Sequence, residues 1–284
     1  VNNGDIPELR VDEAVRRILR VKFALGLFER PVPDTKYQGT IRSREHLELA
    51  RQAVRESLVL LKNENDALPL SKDIPVIFVA GAGANDIGLQ SGGWTLEWQG
   101  KVGNDNEGTT ILSGIRSAAG SDTRVEYSRE GDFSEFKDST GNPLIADAGL
   151  VVIAEKPYAE GVGDQADLSL SQAETKLITA MREQSQTVIV ILLSGRPRVI
   201  TEQLPLAEAW VAAWLPGTEG GGIAAVLFGD FPFTGKLSYS WPRSNEQLPI
   251  NIYNAKGKTG CEAPLFPFGY GLEYGHPSPE IEPC

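Results

Sequence analysis

The sequence contains few of the residues on which several common kinds of site depend. Two of its 284 residues are cysteines and two are histidines. The cysteines, Cys261 and Cys284, are too few for a disulfide framework and lack zinc-ligand spacing, so they allow at most one bridge near the C-terminus. Two histidines leave little material for a histidine-based triad or metal site. Carboxylate chemistry is therefore the default, with no metal and no cofactor expected.

Positive charge and long apolar runs are also scarce. The formal net charge is −11 and the lysines and arginines are scattered, so a phosphate backbone would be repelled. No apolar run approaches the roughly 20 residues that cross a bilayer. Neither nucleic acid nor a membrane is therefore an expected partner. The apolar content, 41%, is enough to fill a sizeable core.

Residues 1–40 are predicted to form a helix and a linker. Apolar residues at helical spacing predict a helix over 8–25, which Gly26 ends. Prolines at 31 and 33 favour an extended linker over 29–40. A second helix is predicted to begin after Ser43, a suitable N-cap, and to continue to Asn63.

Short apolar runs then alternate with helical segments, a pattern typical of α/β proteins. Runs that are apolar on consecutive positions indicate strands covered on both faces, as in a parallel sheet. We therefore expect a three-layer α/β/α sandwich with a mostly parallel six-stranded sheet over residues 41–275, followed by a linker over 276–284. The predicted strands are 75–80, 124–127, 150–155, 187–193, Ala209–Trp214 and 236–241, the last antiparallel, and the predicted helices are 110–119, 171–183, 197–203 and 218–228.

Two loops after predicted strands carry unusual residues, and ligands of such sheets bind beyond the carboxyl ends of the strands. The loop 81–108 contains Trp94 and Trp98, and the loop 156–168 contains Glu160. The two indoles could pack in the core or present flat platforms to sugar rings. A lone loop glutamate is usually solvated surface. The glycines that follow the first strand are a weak nucleotide signal, because no helix with a third glycine follows them.

The segment Val-Val-Ile-Ala-Glu-Lys-Pro-Tyr-Ala-Glu at 151–160 resembles the acid/base loop of glycoside hydrolase family 3, close to the exo-β-glucanases. In that family a catalytic glutamate of the second domain follows a Pro-Tyr-x pattern, which corresponds to Glu160. Six further segments resemble the family in its order. They lie at 10–28, 51–63, 92–100, 215–221, 234–242 and 265–272.

The resemblance implies a retaining, exo-acting β-glucosidase or β-glucanase, with a β-glucoside or β-glucan oligosaccharide as substrate. It assigns the acid/base to Glu160 and stacking on the leaving sugar to Trp98, with Trp94 as a second candidate. The family's nucleophile lies on an N-terminal (β/α) barrel, which we expect to precede this chain, so the chain alone is expected to be inactive. A periplasmic or secreted location is expected.

One alternative from another class stays open. A non-catalytic carbohydrate-binding or interaction module of the same fold would also keep the aromatic loop. Glu160 separates the two interpretations, because a module that only binds sugar has no need of a glutamate at that position.

Overall fold

The computed structural model describes residues 1–279. Its chain divides into two compact units, Val1–His46 and Leu47–Cys284. The C-terminal part of the predicted linker, including Cys284 and any bridge to it, lies outside the described residues. Within residues 1–279, no helix combines the length and apolar character that crossing a bilayer requires.

The first unit contains the predicted helix, here α1 (Glu8–Ala24), and a 3-10 helix at Thr35–Thr40. The 3-10 helix corrects the expectation of an extended linker, because the Asp34 carboxylate caps its first turn by accepting from the Lys36 N–H. No residue of α1 is buried. The expectation that residues 1–40 continue from a barrel domain stays a prediction.

The second unit is built on a six-stranded sheet with strand order β1-β6-β5-β4-β2-β3. Only β1 is antiparallel to its neighbour. The strands are β1 (Val59–Asn63), β2 (Val76–Ala80), β3 (Arg124–Ser128), β4 (Ala146–Ala154), β5 (Ser185–Leu193) and β6 (Ala209–Trp214). The helices after α1 are α2 (Arg44–Ser57), α3 (Ile87–Ser91), α4 (Ile111–Ala118), α5 (Gln172–Gln184), α6 (Gly220–Leu227) and α7 (Ile252–Ala255).

Apolar side chains fill a core on each face of this sheet, because successive residues of a strand point to opposite faces. In β4, Val152 belongs to one cluster and Val151 to the other. Helices α4 and α6 contribute to the first cluster, and α5 contributes Ile178 and Met181 to the second. The expected three-layer sandwich is therefore confirmed.

The antiparallel strand is β1, whereas the sequence predicted it at 236–241. Helix α2 ends at Ser57, and the next residues are buried on consecutive positions and pair with β6. Residues 236–241 make only scattered backbone contacts, such as those of Leu237 with Tyr270 and of Trp241 with Phe266. The consecutive apolar run at 58–61 is a strand signal inside a segment whose helical spacing predicted a helix.

The helix predicted over 197–203 is also wrong. The Val199 N–H donates to the Leu168 carbonyl at 2.9 Å, and a parallel bridge joins Val199 to Ser169. This segment is extended there because it borders the loop that follows β4, and a chain turn replaces the helix over residues 201–203.

Candidate functional site

The parallel strands of the sheet end at one edge, and the candidate residues lie on the segments that follow β2 and β4. The segment after β2 is more regular than the loop predicted over 81–108. It contains a 3-10 helix at Ala82–Asn85 and the short helix α3. The buried Asp86 carboxylate accepts from the Leu89 and Gly103 N–H groups, each at 2.9 Å. The backbone is thereby fixed on both sides of the aromatic residues.

Trp94 and Trp98 are surface residues and do not pack in the core. The two residues are 68% and 56% exposed, and their ring centroids lie 6.3 Å apart with the planes inclined by 53°. Trp94 and Leu96 both have left-handed backbone, with φ of 60° and 61°. Bulky residues rarely adopt this conformation, and such strain concentrates at functional sites.

The other tryptophans behave as core residues. Trp210 and Trp241 are fully buried, and each indole N–H donates to a backbone carbonyl, that of Leu204 or Arg198. Trp214 is half-buried. Because the tryptophans of the strands and of the C-terminal segment are buried or half-buried, the exposure of Trp94 and Trp98 is specific to the loop that carries them.

Glu160 begins a 3-10 turn, Glu160–Gly163, on the loop after β4. It has left-handed backbone, with φ of 51°, and its side chain is exposed. Among residues 1–279, no group donates a hydrogen bond to its carboxylate. The carboxylate is therefore free to accept a hydrogen bond from a ligand.

The loops that carry Trp98 and Glu160 are joined to each other. The Gln99 side-chain carbonyl accepts from the Ala159 N–H at 2.9 Å, so this bond lies one residue from each candidate. Gly93 packs so closely on the same loop that a Cβ there would lie 2.0 Å from the Tyr158 carbonyl oxygen. The structure therefore brings the two predicted site segments together and fixes their relative position.

A cluster of polar side chains, Glu155, Ser194 and Arg196, contacts the loop that carries Glu160. The Glu155 carboxylate accepts from the Ser194 hydroxyl at 2.6 Å and from the Arg196 guanidinium at 2.8 Å. Burial acts to raise the pKa of Glu155, but the hydrogen bonds from Arg196 and Ser194 and the charge of Arg196 outweigh it and lower this pKa below its ordinary value. Glu155 is therefore held as an anion.

Gln99, Arg196 and Glu155 were not predicted as parts of the site. Gln99 directly follows Trp98, and Arg196 lies in a Ser-Gly-Arg-Pro segment just after β5, so both occupy the sheet edge where ligands bind. That position was the one sequence signal that could have identified them. No group of three or more His, Cys, Asp or Glu side chains within residues 1–279 could hold a metal ion.

This arrangement combines an unpaired carboxylate with two exposed indoles on interlocked loops. A carboxyl group can transfer a proton to or from a bound ligand. Indole faces provide rigid apolar platforms. Together they suit a ligand with apolar faces and an oxygen to be protonated.

Comparison with known proteins identifies the kind of domain. The sequence profile of the Glycosyl hydrolase family 3 C-terminal domain matches residues 58–274. The lysosomal beta glucosidase of Dictyostelium discoideum is 34% identical over 95% of this chain and 35% of its own length. The periplasmic beta-glucosidase of Salmonella typhimurium is 29% identical over 96% of this chain and 41% of its own.

Solved structures agree with these sequence matches. An exo-1,3/1,4-beta-glucanase from a Pseudoalteromonas species has a TM-score of 0.83 and 37% identity, over 97% of this chain and 35% of its own. A beta-glucosidase mutant from Listeria innocua in complex with laminaribiose has a TM-score of 0.79 and 28% identity, over 96% of this chain and 40% of its own. The chain thus spans well under half the length of these proteins.

The fold and its solved counterparts define a sandwich domain of sugar-hydrolysing enzymes. Because the family profile covers most of the chain, the chain belongs to glycoside hydrolase family 3, and it corresponds to the family's C-terminal domain. The resemblance seen in the sequence is confirmed.

Proposed function

We propose that this chain supplies the acid/base Glu160 and a leaving-sugar platform, Trp98, to a retaining exo-acting β-glucosidase or β-glucanase. Trp94 is the second candidate for the platform. The observation that carries the proposal is the junction of the two loops. The Gln99–Ala159 hydrogen bond holds an exposed, unpartnered carboxylate next to an exposed aromatic segment at the ligand-binding edge of the sheet.

The reaction has two steps. A carboxylate from a part of the enzyme outside this chain attacks the anomeric carbon, while Glu160 gives its proton to the glycosidic oxygen and the bond to the leaving sugar breaks. Glu160, now ionised, then takes a proton from water. The resulting hydroxide displaces the enzyme carboxylate and releases the terminal glucosyl residue with its β configuration retained.

The tryptophans support an aglycone-binding role for the loop. Stacking on a flat indole depends on the apolar face of a pyranose and little on its hydroxyl pattern. Substrates with different linkages would therefore be accepted, as expected for degradation of β-glucan oligosaccharides. The names of the Dictyostelium discoideum and Salmonella typhimurium relatives support a β-glucoside as substrate, and the mutant Listeria innocua enzyme was solved with laminaribiose.

The name of one relative also bears on location. The Salmonella typhimurium protein is called periplasmic. We propose a periplasmic or secreted location for the enzyme that contains this chain. Recovery of that enzyme only in the cytoplasmic fraction of its own cells would contradict this.

The test of the acid/base role is Glu160→Ala in the enzyme that also carries the N-terminal domain. Because the variant cannot protonate a leaving group, kcat/KM for substrates with poor leaving groups should fall about 10²- to 10⁴-fold. For aryl glucosides with activated leaving groups, kcat/KM should change little, because their departure needs little protonation.

Asp164→Ala is the matched control, since Asp164 is an exposed carboxylate on the same loop. Its substitution should leave both substrate classes unaffected. Glu155 is unsuitable as a control because it pairs with Arg196. If Glu160→Ala lowers kcat/KM equally for both classes, Glu160 is not the proton donor. Wild-type activity in that variant would indicate a role outside catalysis.

A further inference from the structure

Arg196 contacts three parts of the structure around Glu160. Its guanidinium forms a two-pronged ion pair with Glu155, with Nη2 at 2.8 Å and Nε at 3.1 Å from Oε1. Its Nη1 donates to the Gly163 carbonyl at 2.6 Å. The same group lies 4.5 Å from the centroid of the Tyr158 ring. The planar Arg196 guanidinium therefore links three groups: the carboxylate of Glu155, the carbonyl of Gly163 and the ring of Tyr158.

The residues of this loop that Arg196 contacts lie on both sides of Glu160 in the sequence. Tyr158 lies two residues before it, and Gly163 is the last residue of the 3-10 turn that Glu160 begins. Within the turn itself, the Asp164 N–H donates to the Gly161 carbonyl at 3.2 Å. Gly161 has no atom within 4 Å of a built Cβ, so the middle of the turn is open. Arg196 therefore holds the C-terminal end of the turn through the Gly163 carbonyl, and the Tyr158 ring packs against the same glycine.

The guanidinium is itself fixed by the sheet. Glu155 directly follows β4, and its N–H donates to the Leu193 carbonyl at the end of β5. The Ser194 hydroxyl, which directly follows β5, donates to the Glu155 carboxylate. The side chains of Arg196 and Glu155 are only 18% and 12% exposed. The ion pair therefore fixes the turn relative to the ends of the two central strands β4 and β5.

We propose that Arg196 is a positioning residue for Glu160, acting through the Gly163 carbonyl and the Tyr158 ring. The proposal rests on the acid/base role proposed for Glu160. A carboxyl group that transfers a proton must be held in place, and a misplacement of about 1 Å can cost about 10²-fold in rate. Arg196 contacts the Tyr158 ring before Glu160 and the Gly163 carbonyl after it, and it makes no hydrogen bond to the Glu160 carboxylate.

The test is Arg196→Lys in the enzyme with its N-terminal domain. A lysine keeps the charge but has no planar fork with which to bind Glu155 and Gly163 together. We expect kcat/KM to fall about 10- to 100-fold for poor leaving groups and less than about threefold for activated aryl glucosides. Added to Glu160→Ala, the substitution should have less than about a twofold further effect, because there is no acid left to position.

Arg198→Lys is the matched control. Arg198 lies on the same segment and also binds backbone carbonyls, those of Leu168 and Ser169, but none of the residues that flank Glu160. Its replacement should lower the melting temperature by a similar amount without changing the dependence of kcat/KM on the leaving group. If Arg196→Lys does not fold, Glu155→Gln takes its place in the double-mutant cycle with Glu160→Ala. Its expected effect is a loss of about threefold in kcat/KM for poor leaving groups.

The outcomes separate this proposal from the acid/base role. If Glu160→Ala shows the expected leaving-group dependence but the Arg196 effect persists in that background, or is the same for both substrate classes, Arg196 does not position Glu160. If Glu160→Ala itself lacks that dependence, the acid/base role of Glu160 is contradicted, and the Arg196 proposal that rests on it falls with it. Faster hydrogen exchange over residues 159–164 in Arg196→Lys would support the loosening of the turn.

Discussion

The edge at which the parallel strands of the sheet end has two halves with different physical character. In the exposed half, Trp94, Trp98 and Glu160 are accessible to solvent and lie in turns, and Trp94 and Glu160 have left-handed backbone. In the packed half, Glu155 and Arg196 are largely buried and bound to each other. The exposed half offers groups to a ligand, whereas the packed half holds their backbone in place. Stability and chemistry are therefore expected to respond to different substitutions.

The largest expected effect on stability comes from the contact between the two loops. Gly93→Ala would place a Cβ 2.0 Å from the Tyr158 carbonyl oxygen, whereas Gly161→Ala meets no atom within 4 Å. Neither glycine has left-handed backbone, so the pair isolates the steric effect. Gly93→Ala should destabilise the fold by about 2 to 3 kcal/mol. Gly161→Ala should change stability by less than about 0.5 kcal/mol. Thermal unfolding measures both, and equal melting temperatures would show that the loops are not interlocked.

A smaller effect, with a defined pH dependence, is expected for the packed half. Glu155→Gln removes the charge of the ion pair and should cost about 1 to 2 kcal/mol of the free energy of unfolding at neutral pH. The pKa of Glu155 is lowered in the folded state, from an ordinary value of 4.5. The contribution of the pair is therefore fully present above pH 4.5 and is lost as the pH falls from there through the lower pKa of the folded state.

Denaturant titrations of the wild type and of Glu155→Gln over a range of pH test this. The difference in the free energy of unfolding should be constant from about pH 7 to about pH 5.5 and then shrink on further acidification. Other carboxylates titrate in both proteins, so their effects cancel in the difference. A difference that stays unchanged far below the ordinary pKa of 4.5 would contradict a charge interaction of Glu155 in the folded state.

The smallest expected effect concerns the platform in the exposed half. Trp98→Ala, in the enzyme that contains this chain, should weaken the transition state of oligosaccharide substrates by about 1 kcal/mol, or about fivefold in kcat/KM. Aryl glucosides with small leaving groups should change little, since they do not reach the platform. Trp94→Ala serves as the comparison. If only Trp94→Ala shows the selective loss, Trp94 is the platform. An equal loss for both substrate classes would remove Trp98 from the leaving-sugar site.

The sequence predicted well those parts of the fold that local pattern determines. Strand β6 and helix α1 were predicted to within one residue, because β6 is apolar at every position and α1 keeps helical apolar spacing along its length. The apolar pattern predicted a helix over 58–63, which was wrong. Helix α2 ends at Ser57 and β1 begins at Val59, with no glycine or proline between them to mark the change. The pattern also failed at 236–241, where apolar alternation produces isolated contacts and no ladder. In both cases pairing with distant segments decided the structure.

The candidate site shows the same division. Trp98 and Glu160 could be named from their loops and from family resemblance. Their support could not, because it depends on pairs that are distant in sequence, such as Gln99 with Ala159 and Arg196 with Gly163. Sequence alone treats Glu155 and Asp164 as equivalent acidic neighbours of Glu160. The fold buries the first against a cation and exposes the second.

The most direct test of Glu160 as the acid/base is the product that Glu160→Ala forms from an activated aryl β-glucoside in the presence of azide. Without its base, the variant should accumulate the covalent glucosyl intermediate, and azide should attack this intermediate with no need of proton removal. We predict faster turnover and a β-glucosyl azide, identified by NMR, whereas wild type and Asp164→Ala should release glucose. The absence of an azide product from Glu160→Ala, together with its appearance in Asp164→Ala, would contradict the assignment.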